Sequence, residues 1–143
     1  MNAYVLDASV AAKWFLPAAH ETLTEQALRL FEDYAANRIR LVVPDLFWPE
    51  IGNILWKASR VGRISAESAT QAVGALMARE IPTSPSLPLL PVAFTIASAF
   101  RRSVYDSIYV SLAIASKRMF VTADERLANA VAAHFPVRWL GAL

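Results

Sequence analysis

Four acidic residues stand in apolar surroundings and are the first candidates for chemistry. Asp7 and Asp124 each directly follow a short apolar run, whereas Glu50 and Asp106 lie in the first turns of segments predicted to be helical. A carboxylate is costly to remove from water unless it is paired, protonated or bound to a metal. The other eight acids have polar neighbours or stand at helix starts. The four therefore form a candidate catalytic set.

The pattern of apolar runs indicates the elements that must position these acids. Strands are predicted at 4–6, 40–43, 81–83, 119–122 and 137–140, and helices at 8–16, 20–37, 45–60, 65–79, 92–100, 105–117 and 125–134. Strands that alternate with helices favour a parallel sheet covered on both faces. We therefore expect one α/β domain over 1–143, a three-layer α/β/α sandwich with about five short parallel strands. Sites in such folds form at the carboxyl ends of the strands.

Carboxylates gathered at one end of a sheet would repel one another, and a hard divalent cation would relieve that repulsion. Mg²⁺ and Mn²⁺ prefer oxygen ligands, and acid clusters that bind them support metal-assisted phosphoryl transfer. Helix capping is the competing interpretation for each acid taken alone. Asp7 fits a cap of the first helix, and 103–106 and 122–125 both fit capping boxes. Capping does not explain why all four acids project towards one end of the sheet.

Composition excludes several other classes of protein. The 143 residues include no cysteine and two distant histidines, so a disulfide framework, a thiolate site and a histidine-rich zinc site are not expected. None of the four glycines follows the first strand, which excludes a dinucleotide fingerprint and a P-loop. The most apolar stretch, 87–100, is interrupted by prolines, and the N-terminus has no basic region before its apolar run. We expect a cytoplasmic protein without a membrane segment.

Taken together, these residues resemble a known family. Four segments resemble PIN-domain ribonucleases of the VapC toxin type in their order and spacing. They are residues 5–10, Glu50 with Asn53, residues 105–106 followed by Tyr109 and Ala113, and residues 121–124. The resemblance extends over nearly the whole chain. It implies an α/β/α sandwich and a site in which Asp7, Glu50, Asp106 and Asp124 hold Mg²⁺ or Mn²⁺. The implied activity is hydrolysis of RNA phosphodiesters by metal-activated water.

The resemblance also suggests roles for individual residues. Asp7 and Asp106 are the strongest candidate metal ligands, and Glu50 and Asp124 would complete the pocket by binding a second metal or orienting the attacking water. Three residues are candidates for support of the acids: Ser9, Asn53 and Thr122. For each of these three, local packing or capping is an equally good explanation.

RNA requires positive charge around an acidic pocket. The candidates for RNA binding are Lys13, Arg101, Arg102 and Arg126, with an ordinary solvated surface as the alternative for each.

Members of the family form dimers and are blocked by an antitoxin segment, so we expect a homodimer and a small antitoxin partner. Four aromatic residues of the first and third helices are candidates for an antitoxin groove: Trp14, Phe15, Trp48 and Trp56. If all four are fully buried, they belong to the core instead.

Three other functions remain to be compared with this one. A receiver-type phosphoacceptor domain would carry neighbouring acids after the first strand and a lysine after the last, and the sequence has neither feature. A binding module without catalysis would not need four acids. A PIN-like nuclease outside any toxin pair has the same site residues, and a short single-domain chain favours the toxin.

Overall fold

The computed structural model describes all 143 residues as one parallel sheet flanked by seven helices. The strands are β1 (Asn2–Leu6), β2 (Ile39–Pro44), β3 (Thr83–Ser84), β4 (Met119–Thr122) and β5 (Val137–Trp139). The helices are α1 (Ala8–Ala12), α2 (Thr24–Ala35), α3 (Phe47–Arg60), α4 (Ala66–Met77), α5 (Leu90–Phe100), α6 (Val104–Ser116) and α7 (Glu125–Val131). The α/β fold with five short parallel strands, predicted from the sequence, is confirmed.

The sheet has the strand order β3-β2-β1-β4-β5, and every neighbouring pair is parallel. β1 is the central strand, and β4 lies directly beside it with Leu6 opposite Val121. Because the two strands run in the same direction, their carboxyl ends meet at the same edge of the sheet. The segments that follow β1 and β4 are thereby brought side by side.

The most buried helix of the fold is α6. Its seven consecutive residues Ser107–Ala113 are all buried, and it contacts β1, β2 and β4. A helix that is apolar on all sides is typical of a position inside the molecule. Its first turn is consequently held in a fixed position relative to the central strands.

Several helices are shorter than the sequence predicts, and the largest differences are in α1 and α2. α1 ends at Ala12, because the chain continues as a tight turn in which the amides of Trp14 and Phe15 donate to carbonyls three residues earlier. α2 begins at Thr24 rather than residue 20, and Leu23 before it adopts a left-handed backbone conformation with φ of 58°. No helix of the fold combines the length and the hydropathy that crossing a membrane requires.

Candidate active site

Asp7 lies at the point where β1 passes into α1, beside the end of β4. Its backbone amide donates to the carbonyl of Val121, and its carboxylate accepts hydrogen bonds from the Thr122 hydroxyl at 2.7 Å and from the Ser9 amide at 3.4 Å. The Ser9 bond caps α1, as the capping interpretation predicts. The Thr122 hydrogen bond joins the carboxylate to β4, the neighbouring strand in the sheet. Asp7 therefore both caps a helix and faces the edge between β1 and β4.

Asp124 is connected to Asp7 through the same threonine. The Asp124 amide donates to the Thr122 hydroxyl oxygen at 3.0 Å, and the carboxylate Oδ1 of Asp124 accepts from the Leu127 amide at 3.1 Å. Asp124 is thus the N-cap of α7, a position that the sequence assigned to Thr122. Its second carboxylate oxygen accepts no hydrogen bond within the protein and is exposed.

Glu50 reaches the site from the first turn of α3. Proline precedes it at a position that lacks an intrahelical partner for its nitrogen, which is why the helix tolerates Pro49. The Glu50 carboxylate accepts a hydrogen bond of 2.7 Å from the hydroxyl of Tyr109, whose ring stacks on Phe120 of β4 at 5.1 Å. Glu50 is therefore held in place through α6 and β4.

Asp106 occupies the first turn of α6, three residues before Tyr109. The Ser103 hydroxyl caps this helix by accepting from the Asp106 amide at 3.0 Å, and the Asp106 carboxylate is left partly exposed. Residues three apart on a helix share a face. Asp106 and Tyr109 consequently point to the same side of α6, where Tyr109 meets Glu50.

Burial and mutual repulsion raise the pKa of three of the four acids. Burial raises the pKa of Asp7 from 3.8 to about 6, opposed by its bonds to Thr122 and Ser9 and assisted by the charge of Asp106. Burial likewise raises the pKa of Glu50, with smaller effects of the same sign from Asp7 and Asp106. It also raises the pKa of Asp106, and Asp124 adds repulsion. These mutual effects show that the four carboxylates lie within electrostatic reach of one another.

No cation of the protein neutralises this cluster by direct pairing. The three ion pairs of the fold involve Glu21 and Asp33, and none of the four site acids takes part in one. Carboxylate oxygens with excess negative charge are the ligands that hard divalent cations prefer. As the side chains stand, no three acids approach closely enough to enclose a metal ion. Metal binding would therefore require the carboxylates to move closer together.

Tyr109, which the sequence analysis named only as part of the family pattern, is a component of the site whose role was not predicted. Burial raises the pKa of its phenol far above the ordinary value, and the nearby charges of Asp7 and Glu50 raise it further, so the hydroxyl stays protonated and acts as a donor. The available signal was its spacing of three residues from Asp106, which predicts a shared helix face.

The three predicted supporting residues have different surroundings. Thr122 is buried and bridges Asp7 and Asp124, and the Ser9 hydroxyl oxygen accepts from the Ala123 amide at 3.2 Å. Asn53 is exposed on α3 and makes no hydrogen bond to any of the four acids. Two of the three thus form the connection between the ends of β1 and β4, and Asn53 does not.

The four residues predicted to bind RNA differ in exposure and in distance from the acids. Arg102 lies close enough to Asp106 for its charge to oppose the rise in that carboxyl pKa, and Arg101 and Arg126 are exposed. Lys13 is not an exposed cation, because its side chain is only 8% accessible and its ammonium pairs with Glu21 at 3.1 Å. Glu21, which the sequence placed on the solvated surface, is 14% accessible.

Two of the four predicted groove aromatics line an apolar groove. Trp48 and Trp56 border adjoining hollows between α3 and α4, and Trp56 is 52% exposed.

Trp14 lines neither hollow, because its indole donates to the carbonyl of Ala27 at 2.8 Å and its ring packs on Phe31. Phe15 is also absent from the groove and packs against the core. Trp14 and Phe15 therefore lie outside this groove, since these rings attach the end of α1 to the fold. None of the four acids lines the groove.

Comparison with known families gives a match to the PIN domain over residues 4–132, which is most of the chain. The chain belongs to the PIN-domain family. No curated protein is found to be similar in sequence. The PIN-domain resemblance inferred from the four acids is thereby confirmed.

Solved structures share this PIN fold at low sequence identity. PAE2754 from Pyrobaculum aerophilum is 23% identical with a TM-score of 0.71, covering 99% of this chain and 91% of its own. VapBC2 from Rickettsia felis, solved with a DNA fragment from its promoter, is 12% identical with a TM-score of 0.66, covering 96% and 98%. VapC20 from Mycobacterium tuberculosis, described as a toxin that cleaves the sarcin–ricin loop, is 15% identical with a TM-score of 0.64, covering 92% and 95%. Family membership supports a nuclease, and these neighbours share its fold.

Proposed function

We propose that this PIN-domain protein is a metal-dependent endoribonuclease, the toxin of a toxin–antitoxin pair, that hydrolyses RNA phosphodiesters. The observation that carries the proposal is that four carboxylates, none paired with a cation of the protein, lie within electrostatic reach near the edge where β1 and β4 end. PIN-domain nucleases generally depend on divalent metal ions. The structural likeness to VapC20 supports RNA as the substrate.

The residues that would hold Mg²⁺ or Mn²⁺ are Asp7 and Asp106, with Glu50 and Asp124 completing the pocket. Such a cation, when bound, polarises a phosphoryl oxygen and favours the hydroxide form of water. Carboxylates with raised pKa values release their protons more readily when a cation lies beside them. Metal binding and proton release are therefore coupled at Asp7, Glu50 and Asp106.

The protein's own groups orient the reaction. The Thr122 hydroxyl donates to Asp7 Oδ2 and fixes that carboxylate against β4. The Tyr109 hydroxyl donates to Glu50 Oε1, which leaves Oε2 to accept a hydrogen bond from the attacking water. Preorganised groups of this kind lower the barrier because they need not reorient during the reaction. Thr122 and Tyr109 are thus positioning residues for the two carboxylates.

The partners follow from the exposed surfaces of the fold. The apolar groove that contains Trp48 and Trp56 suits the apolar side chains of an antitoxin segment, and an arginine of that segment could pair with the acids. A second apolar surface lies at the start of α5, where Leu87, Val92 and Phe94 are exposed. Large exposed apolar patches mark protein interfaces. This second surface supports the homodimer.

The test is cleavage of a structured RNA by the purified protein with Mg²⁺ or Mn²⁺. We expect cleavage that stops with excess chelator, returns when metal is restored, and falls by orders of magnitude in Asp7→Asn. The matched control is Asp45→Asn, because Asp45 also follows a strand but binds the Ser86 amide outside the acid cluster. Full activity in chelator, or in Asp7→Asn, would overturn the metal mechanism.

A further inference from the structure

A surface cavity of about 320 Å³ adjoins the acid cluster on the side of α1. Its lining includes Ser9 and Asp124 together with Lys13, Glu21 and Arg63. Ser9 and Asp124 belong to the connected ends of β1 and β4 described above. A group bound in this cavity would therefore lie next to the proposed reaction centre.

Glu21 holds two cations at this cavity. Its Oε1 accepts from the Lys13 ammonium at 3.1 Å, and its Oε2 lies 3.6 Å from Nη1 of Arg63. One carboxylate between two cations leaves a net positive charge. This charge of Lys13, Glu21 and Arg63 favours an anion, although Asp124, which lines the same cavity, opposes it.

The two cations also have donors that no protein group accepts. A lysine ammonium carries three N–H donors and Lys13 uses one of them, on Glu21, although its side chain is almost wholly buried. The Arg63 guanidinium carries five donors and makes no hydrogen bond within the protein. A phosphate presents several acceptor oxygens with negative charge, which matches both groups.

We propose that this cavity binds a backbone phosphate of the RNA strand adjacent to the cleaved bond, with Lys13 and Arg63 as the contacting cations and Glu21 as the residue that positions them. The proposal rests on the ribonuclease function proposed above. A strand whose scissile phosphate lies at the four acids and that runs along α1 would carry a neighbouring phosphate past Ser9 and Asp124 into this cavity. Glu21 holds the two cations on this side of the acids.

The first experiment measures RNA affinity as a function of salt. Fluorescence anisotropy of a labelled single-stranded RNA is recorded in chelator, so that no cleavage occurs, for wild type, Arg63→Gln and Arg38→Gln. Arg38 is the matched control, because it pairs with Asp33 immediately before β2, at the opposite end of the sheet from the acids. Both variants lose one positive charge.

Loss of one phosphate contact should weaken binding about tenfold in Arg63→Gln. It should also lower the slope of log affinity against log salt by about 0.7, the value for one contact on a single strand. Arg38→Gln should change neither quantity. If the two variants have the same RNA affinity and the same salt slope while wild type still binds RNA, the phosphate site is overturned. The cavity would then suit a carboxylate of a protein partner instead. Absence of RNA binding by wild type overturns the proposed function as well.

The buried lysine is tested without leaving a charge unpaired. The double variant Lys13→Met/Glu21→Gln removes both partners of the buried ion pair, and its thermal melt reports whether the fold is retained. A folded double variant loses the Lys13 contact but keeps the local net charge, because Arg63 is then unpaired, so its RNA affinity should fall by less than in Arg63→Gln. In the cleavage assay, KM should rise more than kcat falls, because the cavity binds a phosphate that does not react. A folded double variant with wild-type affinity and KM contradicts the proposal.

Discussion

Replacing Asp7 with asparagine should stabilise the metal-free protein at alkaline pH, although it abolishes activity. The pKa of Asp7 is raised from 3.8 to about 6, so the folded protein binds this proton more tightly than the unfolded chain does. Ionisation of Asp7 above pH 6 therefore costs folding free energy. The penalty is fully present at pH 8 and disappears as the pH falls towards 4.

The magnitude follows from the size of the pKa rise. At about 1.36 kcal/mol for each pKa unit, the ionised carboxylate destabilises the fold by about 3 kcal/mol. Asp7 is partly exposed, so solvent reduces this figure, and an asparagine would lose about 1 kcal/mol in its bond to Thr122. A net gain of about 1–2 kcal/mol remains, which corresponds to a rise in Tm of about 3–8 °C.

The assay compares thermal melts of wild type and Asp7→Asn in chelator at pH 8 and pH 4. Asp7→Asn should melt higher at pH 8, and the difference should shrink to well under 1 kcal/mol at pH 4. Addition of Mn²⁺ at pH 8 should raise the Tm of wild type and leave that of Asp7→Asn nearly unchanged. A variant that melts lower than wild type at pH 8, or a difference that does not depend on pH, would refute the reasoning.

Three further predictions concern side chains that contact the site or its surroundings. Tyr109→Phe removes the donor to Glu50 and should reduce kcat about tenfold or more while KM is nearly unchanged, as steady-state cleavage assays would show. Thr122→Val leaves the Asp124 amide without its acceptor and should lower the free energy of unfolding by about 1–3 kcal/mol in urea denaturation. Trp56→Ala should weaken antitoxin binding in calorimetry without affecting RNA cleavage, whereas Trp14→Ala should lower Tm because Trp14 packs against α2.

The adjacency of Asp7 and Asp124 could be predicted because strand direction fixes it. Asp7 and Asp124 follow apolar runs, and in a parallel sheet the residues after two adjacent strands lie side by side. Glu50 and Asp106 were identifiable because a charged residue in an apolar helix start needs a special environment. Local rules were therefore sufficient for the candidate acids.

Contacts between distant segments could not be predicted in the same way. Lys13 lies within the helix predicted over 8–16 and was interpreted as a candidate RNA-binding cation, but α1 ends at Ala12 and the Lys13 ammonium pairs with Glu21. Trp14 is partly buried after the same turn, where its indole donates to the carbonyl of Ala27. Glu21 and Arg63 are more than forty residues apart, and no periodicity in the sequence indicates that they meet. The ion-pair cavity thus depends on the path of the chain between α1 and α2, which only the structure provides.

The most direct test of the metal site is a calorimetric titration of Mn²⁺ into the metal-free protein. Wild type should bind the ion saturably, and Asp45→Asn, which alters an acid outside the cluster, should bind it equally well. Asp106→Asn removes a carboxylate that makes no ion pair and caps no helix, so the fold should persist while Mn²⁺ affinity falls at least tenfold. Equal Mn²⁺ affinity in wild type and Asp106→Asn would contradict the assignment of these four carboxylates as a metal-dependent nuclease site.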